Sequence, residues 1–300
     1  MLARLALLAT LTAGCQSPPP PKEFDGAAAL EYARQQLAFG PRVPGTDAHR
    51  AMGAWLDSLA RAKADSVVIQ DFSHETRSGE TIALRNVMAR FNPGAADRLL
   101  FLAHWDTRPV ADADTGANQF RPVPGANDGA SGVAVLLAMA DALRAASPTV
   151  GVDLLFVDGE DYGDFGEDVD VLIGSRYYAR NQIGPRPAFA VLLDMVGARN
   201  AQFRKEGNSV IAAPAVVDLV WDTAERLGHG AVFLPEAGGT VTDDHVPLQK
   251  AGIKAIDVIP EIPYDYRPWH TLDDTLDRLG VETLTAVGDV MMAVIRSHGR

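Results

Sequence analysis

Residues 151–161 read GVDLLFVDGED, and no other stretch constrains the fold as tightly. Residues 152–157 form an apolar run with β-branched and aromatic side chains, which suits a strand covered on both faces. The run then breaks into Asp158-Gly159-Glu160-Asp161. A cluster of acids is a poor end for a core strand, but α/β proteins gather their sites at the carboxyl ends of strands. Glu160 and Asp161 are adjacent and cannot do the same job on the same face. One can hold a cation while the other handles a proton. A solvated acidic turn would read the same over so short a stretch, so the rest of the chain has to separate the two.

The pattern recurs. An apolar strand over 99–103 runs into His104-Trp105-Asp106, one over 189–193 ends in Asp194, and one over 254–259 leads to Trp269-His270. Asp128 sits in Gly125-Ala126-Asn127-Asp128-Gly129, a glycine-rich approach to an Ala- and Leu-rich helix over 131–145. Further helices are expected over 27–38, from a Thr46 cap to 62, and over 171–179, 215–227 and 279–295. In the second of these Met52, Trp55, Leu56 and Leu59 share a face. Strands over 66–72 and 82–91 follow one another with no helix between them. The expectation is a single α/β domain with a central mixed, mostly parallel twisted sheet and helices on both faces.

The 300 residues suit one such domain, and the net charge of -12 argues against a nucleic-acid partner. The single cysteine rules out a disulfide within the chain. Residues 1–14, with Arg4, an apolar stretch and small residues before Cys15, read as a secretory signal too short to span a membrane. Residues 11–15 resemble a bacterial lipobox, which implies a lipid on Cys15. Residues 15–22 are then a proline-rich tether and 23–300 the folded domain. The expectation is an exported lipoprotein that meets the membrane only through that anchor. Oligomeric state leaves no signature in the sequence.

If parallel strand ends share one edge, then His104, Asp128, Asp161, Asp194 and His270 can meet there. They are imidazole and carboxylate donors of the kind catalytic zinc takes, and Glu160 remains as a proton carrier. A lone histidine at a strand end is usually hydrogen-bonded structure; five such groups, each before a turn or helix start, are not. Asp106 is placed to orient His104. Asp273-Asp274 reads as a turn cap. His49, His74, His229 and His298 lack acidic partners at strand ends and are expected to be surface or structural. His245 is a candidate pocket residue or a loop support, and Trp105 reads as pocket or core, while Trp55 and Trp221 fall on apolar helix faces and are expected in the core.

These motifs resemble the zinc-dependent aminopeptidase superfamily with a co-catalytic metal pair and, within it, the animal-type glutaminyl cyclases. The resemblance spans nearly the whole mature chain. The cyclase branch is suggested by Arg85-Asn86-Val87, Gly174-Ser175-Arg176, residues 192–198, residues 242–247 and residues 269–274. The resemblance implies Asp128, Asp161 and His270 around a catalytic zinc and Glu160 as general acid/base. It also implies Asp194 and Asp243 as an acid network beside Glu160, and Trp269 as a pocket wall. In the peptidase branch, His104 and Asp194 would hold a second zinc, with Asp128 bridging.

The chain departs from the animal cyclases in four respects. The disulfide that they carry near this site cannot form with a single cysteine. Asp161 stands where they have Glu. Residues 127–132 look more like the peptidase version, and residues 162–169 differ. The resemblance implies peptide or protein N-termini as substrate and cyclisation of N-terminal Gln with one zinc. The alternatives are a two-zinc aminopeptidase and a non-catalytic binding ectodomain. A dead site would have no use for the full donor set plus Glu160.

Overall fold

The computed structural model describes residues 24–298. The leader, Cys15 and the rest of the tether lie outside the described residues. The element order is α1 (Gly26–Leu37), α2 (Asp47–Lys63), β1 (Ser66–Glu75), β2 (Thr81–Phe91), β3 (Arg98–His104), α3 (Ala130–Ala145), β4 (Gly151–Val157), α4 (Ile173–Arg180) and β5 (Phe189–Leu193). It continues with β6 (Phe203–Lys205), α5 (Gly207–Ala212), α6 (Pro214–Arg226), β7 (Phe233–Ala237), α7 (His245–Lys250), β8 (Ala255–Val258) and α8 (Val281–His298).

Six strands form one sheet in the order β1-β2-β4-β3-β5-β8. β1, β2 and β4 pair antiparallel, whereas β4, β3, β5 and β8 run parallel. The sheet is therefore mixed, as the helix-free passage from β1 to β2 requires. Side chains alternate across it. Phe101, Leu154, Phe156 and Val191 face the layer of α1, α2, α3, α6 and α8. Leu100, Leu102, Leu155 and Leu192 face Tyr178 of α4 and Leu248 of α7. Asp153, an acid within the apolar run of β4, is neutralised by Arg98 at 2.8 Å and Arg90 at 3.0 Å. No helix among the described residues is long and apolar enough to cross a membrane.

Some boundaries differ from the sequence reading. α4 starts at Ile173 because Leu172 adopts φ +54, a left-handed conformation that cannot continue a helix. β1 extends to Glu75 through a regular ladder with β2. The short parallel pair β6-β7 and the one-turn helices α5 and α7 had no periodic signal long enough to read.

The four parallel strands put their carboxyl ends on one edge, and α3 is drawn tightly against it. A Cβ on Gly132 would lie 2.1 Å from the Leu193 carbonyl oxygen. Glycine alone lets α3, and with it Asp128 just before its first turn, approach the end of β5 where Asp194 begins.

Candidate active site

The five donors expected to meet do so. His104 closes β3, Asp161 follows β4, Asp194 follows β5, Asp128 precedes α3, and His270 arrives on the long loop after β8. His104 Nε2 lies 3.1 Å from Asp128 Oδ1 and 3.2 Å from Asp194 Oδ1. His270 Nε2 lies 3.4 Å from Asp161 Oδ1 and 3.8 Å from Asp128 Oδ2. Asp128 thus turns one oxygen to each histidine. Two groups, His104–Asp128–Asp194 and Asp128–Asp161–His270, each bring one donor atom per residue within 4.8 Å of the others. All five side chains are buried.

The donor set fits zinc. Each triad offers nitrogen and carboxylate oxygen in a space that excludes most water. The acids demand positive charge: burial opposes a proton on His270, yet Asp161, Asp112 and Asp128 outweigh it and lift this imidazole to about 9. Burial likewise opposes a charged His104, and Glu160, Asp106, Asp128 and Asp194 together hold it well above an ordinary imidazole. A bound cation would answer that demand.

The supporting shell is complete. His270 Nδ1 lies 3.0 Å from Asp112 Oδ1, which leaves Nε2 to face the acids. The Arg108 guanidinium donates to Asp161 at 2.7 Å and to Asp112 at 2.9 and 2.5 Å, tying the two sides of that triad together. Asp274 accepts from the Asn127 and Asp128 amides at 2.8 and 3.1 Å and from the Tyr266 hydroxyl at 2.5 Å. It caps the loop that carries Asp128, a more specific task than the turn cap expected of it. His270 sits at φ +54 and the neighbouring Met195 at φ +49, left-handed backbone that non-glycine residues hold only where the surroundings impose it.

Glu160 is buried beside the donors, with Oε2 3.7 Å from His104 Nδ1. Burial pushes its carboxyl well above the usual range; His104 opposes this, and Asp243 and Asp161 add to it. Burial and then Asp194 raise Asp243 to about 7. Asp106 accepts from the Glu160 and Asp161 amides, each at 3.1 Å. It therefore holds the backbone of both residues, while its approach to His104 Nδ1 is a longer 3.5 Å.

A cavity of about 520 Å³ opens over these groups. Its floor includes Asp128, Glu160, Asp161, Asp194, Asp243 and His270, and Trp269 forms part of its wall with Phe165, Met195 and Ile262. The Trp269 ring stacks on His270 at 3.8 Å between centroids. His245 and Trp105, for which the pocket is one of two readings, do not line the cavity. Trp105 is buried behind the site, stacked on His49 and donating to the Arg85 carbonyl. His245 is enclosed between Glu206, at 3.3 Å, and Asp257, at 3.6 Å. The four histidines set aside in the sequence all have acidic partners: His49 with Asp158, His74 with Asp170, His229 with Asp289 and His298 with Asp97. Of the four, only His49 meets an acid at the carboxyl end of a parallel strand.

A model of peptidase family M28 matches residues 86–295. The chain belongs to peptidase family M28. It is 26% identical to the glutaminyl-peptide cyclotransferase of Bos taurus, over 84% of this chain and 77% of that one. The Porphyromonas gingivalis glutaminyl cyclase structure is 38% identical, with a TM-score of 0.89 covering 92% of this chain and 99% of that one. A Zn-dependent exopeptidase from Parabacteroides distasonis is 37% identical, with a TM-score of 0.87 covering 91% of this chain and 98% of that one. The likeness therefore extends to bacterial cyclases as well as animal ones. The chain is an enzyme of this zinc-dependent superfamily.

Proposed function

We propose that the chain is a glutaminyl-peptide cyclotransferase. The N-terminal amine of a peptide attacks its own γ-carboxamide, pyroglutamate forms and ammonia leaves. The likeness to solved glutaminyl cyclases along nearly the whole of both chains carries this reading. Asp128, Asp161 and His270 would hold the catalytic zinc. When bound, the metal supplies Lewis acidity to the carboxamide oxygen.

The remaining work belongs to the chain. The apolar walls with Trp269 hold the glutamine side chain folded back on its amine, and such intramolecular placement supplies several kcal/mol of the barrier. The same walls exclude water that would otherwise intercept the step. Glu160 takes the proton from the attacking amine and returns it to the departing ammonia. Asp243 and Asp194 sit in a buried acid cluster that resists full ionisation, so a shared proton there keeps negative charge from accumulating beside Glu160.

A second reading is favoured by the two donor groups that share Asp128. With a second zinc on His104 and Asp194, a metalloaminopeptidase would use Glu160 to deprotonate water. One incubation separates the readings. A Gln-initiated peptide followed by mass spectrometry is expected to lose one ammonia with its chain intact. Release of the first residue would establish the peptidase, and an unchanged peptide with added zinc would establish a binding ectodomain. We further propose that residues 1–14 export the protein and that Cys15 anchors it by lipid. The intact mass of membrane-extracted protein should then begin at acylated Cys15, and a mass that retains residue 1 would refute this.

A further inference from the structure

His49 lies on α2, outside the catalytic cavity, and is 4% exposed. Its Nε2 sits 2.8 and 3.0 Å from the two oxygens of Asp158, which is itself fully buried. Its Nδ1 has no hydrogen-bond partner, so Asp158 takes the whole of its side-chain hydrogen bonding. The ring stacks on Trp105 at 4.4 Å with a 14° interplanar angle, and Trp105 lies between His104 and Asp106 in the chain. The imidazole therefore backs the ends of β3 and β4 together.

Asp158 opens the turn that carries Glu160. Its Oδ2 accepts from the Arg85 amide at 2.7 Å, and its own amide donates to Asn86 Oδ1 at 3.1 Å. Gly159 turns the chain at φ +71, and an added Cβ would come within 3.2 to 3.3 Å of Ile173 and Leu84. The Glu160 and Asp161 amides then close on Asp106. Asp106 and the Leu172 amide hold the far end of the turn, while at the near end the Ile173 amide holds the Gly159 carbonyl and the Asp158 carboxylate is held by the Arg85 amide and by the His49 side chain. Burial lifts the Asp158 carboxyl to about 6 against the pull of His49, so its environment disfavours an unpaired charge.

We propose that His49 is a positioning residue for the reaction: through Asp158 it fixes the turn 158–161 and so the placement of the Glu160 carboxylate. The inference rests on Glu160 being the proton carrier. It couples α2, which contributes nothing to the cavity lining, to the reacting groups. Loss of the donor from His49 takes the one side-chain donor from the Asp158 carboxylate and loosens the near end of the turn, whereas a side chain that still donates to Asp158 preserves it.

The test compares zinc-loaded wild type, His49→Leu and His49→Gln, the last of which keeps an N–H donor near the position of Nε2. Amide hydrogen exchange at residues 158–161 is read beside steady-state kinetics. In His49→Leu, exchange there is expected to quicken by about tenfold while distant strands such as β8 keep their protection. Its kcat should fall by about 10- to 100-fold, with KM within about twofold. His49→Gln should recover most of both. Should His49→Leu not fold, Asp158→Asn in its place removes the buried charge without changing the shape, and the same loosening of the turn is expected.

Exchange does not depend on turnover, so it reports on His49 whatever the activity. Wild type that releases an amino acid instead of ammonia refutes the cyclase reading alone. The kcat comparison then proceeds on that hydrolysis, which also needs Glu160. Wild-type exchange and kcat in His49→Leu would overturn the proposal. A uniform rise in exchange across the whole chain, unrescued by His49→Gln, would overturn it too.

Discussion

Glu160→Gln yields a folded, zinc-loaded protein that leaves N-terminal glutamine open, with kcat lower by about 100- to 10,000-fold, the range that general acid/base groups supply. The substitution keeps shape and hydrogen-bonding reach but cannot cycle a proton. Its structural cost is small because the Glu160 backbone is held without help from its own side chain, by Asp106 through the amide and by the Leu172 amide on the carbonyl. Removing a buried carboxylate from a cluster of acids also relieves repulsion. Metal content should be unchanged, since neither triad includes Glu160. The wild-type rate has a matching signature. The base form accepts the amine proton, and burial holds that carboxyl well above the usual range. Turnover therefore rises with pH through a limb displaced upward from ordinary glutamate. The decisive comparison is ammonia release by wild type and variant at equal zinc occupancy. Activity of Glu160→Gln within a few-fold of wild type would assign proton transfer to another group.

How much of this was legible in the sequence follows from how each residue reaches the site. His104, Asp161 and Asp194 come directly off buried strands whose apolar runs are unmistakable, and parallel pairing forces those ends to one edge. Asp128 was marked by the glycines around it, and Gly129, at φ +89, is the left-handed start of α3. Arg108 and Asp112 were invisible because they lie in a loop with no periodicity. Only the folded return of the chain brings them against Asp161 and His270. His49, expected to be surface or structural, is a buried structural residue, and its partner was hidden for a related reason: it is a strand end that lies 109 residues further along the sequence. The pocket reading of Trp105 and His245 rests on proximity in sequence. Alternation turns Trp105 to the back of the site, opposite its neighbour His104, and α7 carries His245 inward, away from the cavity.

Removing His270 and removing His104 should have unequal consequences, and the inequality decides how many ions the site uses. His270→Ala takes the only nitrogen from the Asp128–Asp161–His270 group. Two carboxylates remain, one of them already shared with Arg108. Zinc content is expected to fall well below one per chain, and cyclisation with it. Stability gives a second readout. A ligand at about 100 times its Kd stabilises the native state by about 2.7 kcal/mol. Chelation should therefore lower the wild-type Tm by about 5–10 °C, at the few degrees per kcal/mol usual for chains of this size. It should leave the already metal-poor His270→Ala almost unmoved. His104→Ala removes the nitrogen of the other group and leaves this triad whole. If cyclisation is the reaction, wild type carries about one zinc, and His104→Ala keeps it together with much of its turnover. A two-metal peptidase would instead start near two zinc per chain, drop to about one in His104→Ala, and lose hydrolysis in both variants. Zinc analysis of the three proteins, read against ammonia release, separates the outcomes. Full zinc occupancy in His270→Ala would overturn the assignment of the triad.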